Sequence, residues 1–380
     1  MKSLVAVDAA RIAEVTAALR TALSNDGPAL FPSAGPSAVS AGAPWPAAVP
    51  QRVAVVLETS GSSGSPKRVA LSANALLSSA AATESALGGP GGWVLALPVH
   101  YIAGLQVLVR SIAAAIDPVL LPSRSFRAAD FLAALDSLEP GVRRYTALVP
   151  AQLHRLLTAA EQSLTAAAKL RSLDAILVGG QRLPEPSLRR AADLGLAVVR
   201  SYGATETSGG CVYDGVPLGT VTVRTREGQV EVSGPVLAEG YLDAPAAPAA
   251  AFSTDESGRW YRTRDAGTFD GVLHVTGRVD DVLISGGVKV SLAAVESVLR
   301  AEPGLTEAVV ISVPDVQWGE VPIVVVAGSS SPPTLEQLRR LLTERLGPAA
   351  APARLVCLEH LPTLLSGKPD RRAIRDLVCS

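Results

Sequence analysis

Six short segments carry the side chains with chemistry to offer. The first, Thr59-Ser60-Gly61-Ser62-Ser63-Gly64-Ser65-Pro66-Lys67, follows the apolar run at residues 53–57. Small residues let backbone N–H groups converge on an anion, the hydroxyls add donors and Lys67 brings a positive charge, so the segment has the makings of a phosphate cradle. It is not a Walker loop, because G-x-x-x-x-G-K-[ST] cannot be fitted to it, and a plain Ser/Gly-rich surface turn has the same composition. In Ser201-Tyr202-Gly203-Ala204-Thr205-Glu206, Thr205 offers a hydroxyl to a phosphate oxygen and Glu206 a carboxylate to Mg²⁺, a hard ligand for a hard cation. The segment at residues 263–267 reads as a tight turn on which Asp265 could accept both hydroxyls of a ribose. Gly277-Arg278-Val279-Asp280-Asp281 and Ser285-Gly286-Gly287-Val288-Lys289-Val290 read equally well as joins between domains. The last segment, residues 362–371, carries Lys368 after Gly367, and by itself it resembles a tail turn with a solvated lysine.

The elements that must position these residues follow from periodicity. A helix is expected over 9–23, then an irregular surface wrap rich in Ala, Pro and Gly to about residue 50. From there to about 205, strands expected at 93–97, 118–121, 145–149, 175–178 and 198–201 alternate with helices at 72–87, 102–115, 128–138, 151–160 and 185–194. That alternation predicts an α/β fold with a helix-covered parallel sheet and ligands at the carboxyl ends of its strands. The Ser/Gly loop follows a strand, and so does Gly179-Gly180-Gln181. Residues 220–275 read as a small β-rich subdomain. A helix at 292–300, strands at 308–313 and 322–327, a helix at 334–346 and a strand at 354–358 make a second domain. The expected division is 1–277, a hinge at 278–281, and 282–380.

Composition narrows the partners. The chain has 380 residues, more than one core usually serves, and a formal net charge of −1, so neither nucleic acid nor an anionic membrane is expected and a small molecule is. Cys211, Cys357 and Cys379 show no C-x-x-C spacing, which argues against a disulfide framework or zinc site and fits a reducing cytoplasm. Asp8, Arg11 and Glu14 interrupt any signal-peptide core, and Arg110 cuts the apolar run at 102–116, so no membrane insertion is expected.

In order, the motifs [ST]-[ST]-G-[ST]-[ST]-G-x-P-K, Y-G-x-T-E, T-x-D-x-G, G-R-x-D-D with a following G-G, and P-x-x-x-x-G-K-x-x-R are all matched between Thr59 and Arg371. Each is weak alone; their order makes the chain resemble the superfamily of adenylate-forming enzymes, which includes acyl- and aryl-CoA synthetases, firefly luciferase and nonribosomal adenylation domains. The resemblance implies a large N-terminal domain with helix-covered sheets and a small mobile α+β C-terminal domain. It also implies ATP, Mg²⁺ and CoA as reactants and cofactors. Carried over, it assigns Thr59, Ser60, Gly61, Ser62, Ser63, Gly64 and Lys67 to the β- and γ-phosphates of ATP. Gly179, Gly180 and Gln181 with Ser201, Tyr202 and Gly203 would wall the adenine. Thr205 would touch the α-phosphate, Glu206 would hold Mg²⁺, Asp265 would bind the ribose, and Arg278 would assist at ribose or phosphates. Lys368 would be the catalytic lysine of adenylation, Asp280 the hinge, and Ser285-Gly286-Gly287 the segment presented to the thiol arm in the second step.

Residues 97–110 look most like the compact bacterial o-succinylbenzoate-CoA ligases of menaquinone biosynthesis. Those ligases activate one carboxylate of an aromatic dicarboxylic acid; Arg110 is the candidate cation for the other, or else it snorkels to solvent. Either His100 or Tyr101 is expected to line the acyl site. Another small aryl- or acyl-CoA synthetase, an adenylation domain loading a carrier protein, and a non-catalytic nucleotide-binding protein stay open as alternatives. Retention of Glu206 and Lys368 speaks against the last.

Overall fold

The computed structural model describes residues 1–35, 46–59, 67–122, 125–242, 251–279, 281–328, 333–363 and 369–379. Ser60, Gly61, Ser62, Ser63, Gly64, Asp280 and Lys368 lie outside the described residues.

The N-terminal elements are β1 (Lys2–Asp8), α1 (Ile12–Leu23), β2 (Ala29–Ser33), β3 (Ala48–Val49), β4 (Val53–Thr59) and β5 (Lys67–Ser72). β2 runs parallel to β1 and β4, while β5 returns antiparallel to β4 with Thr59 opposite Lys67. The Ser/Gly segment thus joins the arms of a hairpin. The expected surface wrap is corrected here: β2 is buried at all five positions. Its run Ala29-Leu30-Phe31 is apolar without alternation, as a strand covered on both faces should be, but the surrounding prolines hide it.

The second sheet belongs to the alternating region. In chain order come α2 (Ala73–Leu87), β6 (Gly91–Leu95), α3 (Ile102–Ala114), β7 (Val119–Leu120), α4 (Ala128–Ala134), β8 (Arg143–Leu148), α5 (Pro150–Gln162), α6 (Leu164–Arg171), β9 (Ala175–Val178), α7 (Glu185–Asp193) and β10 (Val198–Ala204). The 3-10 turn Thr205–Thr207, β11 (Gly209–Tyr213) and β12 (Val216–Pro217) follow. Strand order is β12-β11-β10-β9-β8-β6-β7, parallel from β7 to β10 as expected. Side chains alternate between two cores. Trp93, Leu95, Tyr145, Ala147, Ala175 and Leu177 join α1, α2 and α3 in one cluster. Val94, Leu148, Ile176 and Val178 join α4 to α7 in another. Each of these strands is therefore apolar on both faces, and each large aliphatic side chain buried in this way contributes about 1.5–3 kcal/mol.

A smaller antiparallel sheet contains β13 (Thr222–Arg226), β14 (Gln229–Ser233), β16 (Phe252–Asp255), β17 (Gly258–Phe269) and β18 (Leu273–Arg278), while β15 (Gly240–Tyr241) crosses to pair with β5 in the first sheet. The C-terminal elements are β19 (Val282–Ser285), β20 (Val288–Ser291), α8 (Leu292–Arg300), β21 (Val309–Asp315), β22 (Gly319–Ala327), α9 (Leu335–Leu346), β23 (Arg354–Leu358) and α10 (Arg371–Cys379). One face of this sheet packs on α8 and α9, and the other on Ile374 and Val378 of α10. α10 is only nine residues long and buries just those two apolar positions among many charges.

Candidate active site

The carboxyl end of β10 is the centre of the candidate site. Two of its glycines are required by backbone packing: a Cβ on Gly179 would stand 2.8 Å from the Ser201 carbonyl oxygen, and one on Gly203 2.0 Å from that of Gly209. Gly180 has φ +80° and leads to half-buried Gln181. After β10 the chain turns sharply. Thr207 Oγ1 accepts the Ala204 N–H at 2.9 Å and donates to the Gly209 carbonyl at 2.8 Å. Ser208 adopts φ +52°, and its carbonyl accepts Ser79 Oγ of α2 at 3.0 Å and Gln106 Nε2 of α3 at 2.8 Å. Two helices thereby lock the turn that carries Thr205 and Glu206.

Glu206 is 8% exposed, and its Oε1 accepts the Tyr241 hydroxyl at 2.8 Å. The Nζ of Lys67 lies 5.1 Å from the centroid of the same Tyr241 ring. Burial, and after it the Glu206 charge, raises the Tyr241 phenol above its ordinary range, so it stays protonated and donates.

Asp265 is not on a tight turn. It lies within β17 opposite Arg278 of β18, just before a register shift between Ala266 and Gly267. Such a bulge can re-aim side chains, and it reproduces in sequence the small residues of a turn. The Asp265 N–H donates to Thr263 Oγ1 at 3.0 Å, which in turn donates to the Val230 carbonyl at 2.8 Å. Tyr202 donates its hydroxyl to Asp265 Oδ2 at 2.8 Å. Burial and then the Asp265 charge push the Tyr202 phenol upward. Tyr261 of β17 feels the charges of both Glu206 and Asp265, so the Glu206–Tyr241 and Asp265–Tyr202 pairs share one electrostatic neighbourhood.

His100 and Tyr101 follow β6 at the start of α3, their rings 4.2 Å apart. Burial lowers the His100 imidazole, and its buried Nε2 has no partner among the described residues. Both residues thus sit at the carboxyl end of a sheet strand. Arg110 lies nine residues beyond Tyr101, about 13 Å along the axis at about 1.5 Å per residue. It is 7% exposed, so it does not snorkel to solvent. Its Nη2 donates to Thr83 Oγ1 at 3.2 Å and its guanidinium lies 4.8 Å from the Trp93 ring centroid.

In the C-terminal part, Gly286 and Gly287 form the two-residue turn of the β19–β20 hairpin with φ +57° and +82°. The Trp318 ring lies against this turn, so a Cβ on Gly286 would stand 2.9 Å from it. Ser285 is buried beside it. On both sides of residues 364–368 the chain is pinned, by a bridge between Thr363 and Pro369 and by the Asp370 N–H on the Pro362 carbonyl at 2.8 Å.

Among the described residues no group of three or more His, Cys, Asp or Glu could hold a metal by itself. A single carboxylate such as Glu206 suits Mg²⁺ that arrives with most of its ligands supplied by phosphates and water. Burial pushes the Cys211 thiol up to about 12, which keeps it neutral and leaves it a core residue. Tyr241, Tyr261, Ser208 and Gln106 escaped the sequence reading. Gln106 had a signal, a lone amide in an apolar helix; Tyr241 had none, because its neighbours come from β5 and β10.

A family model described as AMP-binding enzyme matches residues 3–236. The chain belongs to that family. A second model, the AMP-binding enzyme C-terminal domain, matches residues 294–368, so this AMP-binding enzyme has both the large N-terminal and the small C-terminal domain. It is 43% identical over 330 residues to a Mycobacterium tuberculosis protein named "Probable 2-succinylbenzoate--CoA ligase", covering 85% of this chain and 84% of that one. A Lactococcus lactis 2-succinylbenzoate–CoA ligase is 27% identical over 361 residues, covering 90% and 74%. Among solved structures, the Bacillus subtilis o-succinylbenzoate CoA synthetase in complex with its acyl-adenylate intermediate superposes with a TM-score of 0.75 at 27% identity, covering 95% and 81%. The amide bond synthetase McbA from Marinactinospora thermotolerans gives 0.76 at 26%, covering 99% and 80%. Among the described residues of this AMP-binding enzyme, no helix is long and apolar enough to cross a membrane.

Proposed function

We propose that the chain is an AMP-forming 2-succinylbenzoate–CoA ligase. The observation that carries this reading is the convergence at the end of β10 of a nearly buried carboxylate, the lysine that closes the Ser/Gly loop, and an aspartate held by a tyrosine. These groups answer to a metal-bound triphosphate and to a ribose. The acid is the one named for the Mycobacterium tuberculosis relative, which is similar over most of both chains.

In the proposed reaction the substrate carboxylate attacks the α-phosphorus of ATP, forming an acyl adenylate and expelling pyrophosphate. The CoA thiolate then attacks the acyl carbon and AMP leaves. Mg²⁺, when bound, supplies positive charge to the phosphate oxygens. Lys67 with Thr59, Ser60, Gly61, Ser62, Ser63 and Gly64 would receive the β- and γ-phosphates. Thr205 would meet the α-phosphate, and Asp265 with Arg278 the ribose. Lys368 would stabilise the charge that grows during attack. His100 and Tyr101 would line the acyl site. Arg110, buried against Thr83 of α2 and Trp93 of β6 with its Nε left without a partner among the described residues, would be the cation that meets the second carboxylate. Between the steps, residues 282–380 would turn about 278–281 and bring Ser285-Gly286-Gly287 toward the thiol.

Mass spectrometry of the protein incubated with ATP, Mg²⁺, CoA and a panel of acids should find the CoA thioester of 2-succinylbenzoate. Robust turnover of benzoate or fatty acids without that product would sink the substrate assignment. The likeness to an amide bond synthetase favours a second reading, transfer of the acyl group to an amine, and an assay with amines in place of CoA decides between them. Asp265→Ala should weaken ATP binding about 10- to 100-fold, the equivalent of about 1.5–3 kcal/mol for hydrogen bonds to a charged group. Unchanged ATP affinity by calorimetry would remove Asp265 from the ribose site.

A further inference from the structure

Tyr241 stands between two groups that the proposed reaction needs on the same triphosphate. It ends β15, an edge strand of two residues that pairs with β5, Tyr241 opposite Val69. That pairing sets its ring under the Lys67 ammonium at 5.1 Å, a distance at which a cation is attracted to an aromatic face. Its hydroxyl reaches across to β10's end and donates to Glu206 Oε1 at 2.8 Å. Phe252 packs edge-on against its ring at 5.9 Å, which holds the phenol in place. A nearly buried carboxylate with a single neutral donor is poorly compensated unless a cation comes to it. Oε2 of Glu206 has no protein partner among the described residues, and it is the oxygen left to meet that cation.

We propose that Tyr241 is a positioning residue that couples the two halves of the triphosphate site: its hydroxyl orients Glu206 so that Oε2 faces the metal carried by ATP, and its ring holds Lys67 until the phosphates draw the ammonium away. This rests on the assignment of Glu206 to the metal and Lys67 to the phosphates. The coupling accounts for a feature that packing alone does not, a tyrosine whose face and hydroxyl serve two different charged groups.

Calorimetric binding of ATP with Mg²⁺, and of AMP without it, to the full chain separates the possibilities. Tyr241→Phe keeps the ring against Phe252 and removes the hydroxyl; it should weaken Mg²⁺-dependent ATP binding about tenfold, in line with loss of one hydrogen bond to a charged group, and leave AMP binding unchanged. The Mg²⁺ concentration for half-maximal ATP binding should rise in parallel. Tyr241→Leu should weaken ATP further by removing the face beneath Lys67. Parent-like ATP binding by Tyr241→Phe, or an equal loss for ATP and AMP, would overturn the proposal, since a packing role alone predicts one or the other. Glu206→Gln guards the premise. If it leaves the Mg²⁺ dependence unaltered, the metal assignment fails and the inference with it; if it abolishes the dependence while Tyr241→Phe changes nothing, the coupling alone fails.

Discussion

Lys368→Ala is expected to lower adenylate formation about 10²- to 10³-fold while leaving the conversion of a supplied acyl adenylate to its CoA thioester near the parent rate. The asymmetry follows from charge. Attack on the α-phosphorus adds negative charge to phosphate oxygens already crowded with it, and a well-placed cation there is worth about 3–4 kcal/mol. Displacement of AMP by a thiolate proceeds from an adenylate already formed and has no such need of the lysine. The described residues flanking 364–368 are anchored on both sides: Thr363 bridges Pro369, the Asp370 N–H donates to the Pro362 carbonyl, and Arg371 Nη1 donates to the Val310 carbonyl at 2.6 Å. Pyrophosphate release and thioester formation, measured separately, test the prediction. Equal loss of both would mean that Lys368 does not act in one half-reaction alone.

The second large effect concerns stability. Glu296 of α8 is 5% exposed and accepts the Val310 N–H at 2.9 Å and Arg371 Nη2 at 2.6 Å through Oε1, while Oε2 pairs with Arg300 at 3.0 Å. One carboxylate thus ties α8, β21 and the start of α10 together. Glu296→Ala would leave two guanidinium groups and a backbone donor facing an apolar methyl. Removing one partner of a buried pair costs about 3–5 kcal/mol; because Arg371 keeps about a third of its side-chain exposure, the lower end, about 3 kcal/mol, is expected. Calorimetry of the full chain should show the transition of the C-terminal sheet moving to lower temperature while that of the large domain stays put. A change of less than about 1 kcal/mol would mean that water compensates the arginines as well as Glu296 does.

Much of the fold was legible because buried parallel strands and amphipathic helices write their periods into the chain. α8 and β23 lie at the expected residues, 292–300 and 354–358, and the helices at 72–87 and 185–194 differ from α2 and α7 by one residue. The misses share a cause. β2 is short and set among prolines, and α10 is a nine-residue helix that buries only Ile374 and Val378. Asp265 looked like a turn residue because a bulge and a turn recruit the same small neighbours, and the pairing of β17 with β18 that distinguishes them is not local.

By itself the sequence determined the family, the order of the ATP-directed segments, and residue types suited to phosphate, ribose and metal. These survive in one dimension because backbone approach demands glycine at Gly203 and charge stabilisation demands Lys and Glu wherever the fold puts them. The tertiary structure alone decided which groups meet. Tyr241 reaches Glu206 and Lys67 because β15 crosses to the first sheet, and Tyr202 reaches Asp265 because β17 passes the end of β10. Burial of Arg110 was decided there too: one face of a helix can line a pocket or fill a core, and only the position of α2 and β6 around α3 chooses between them.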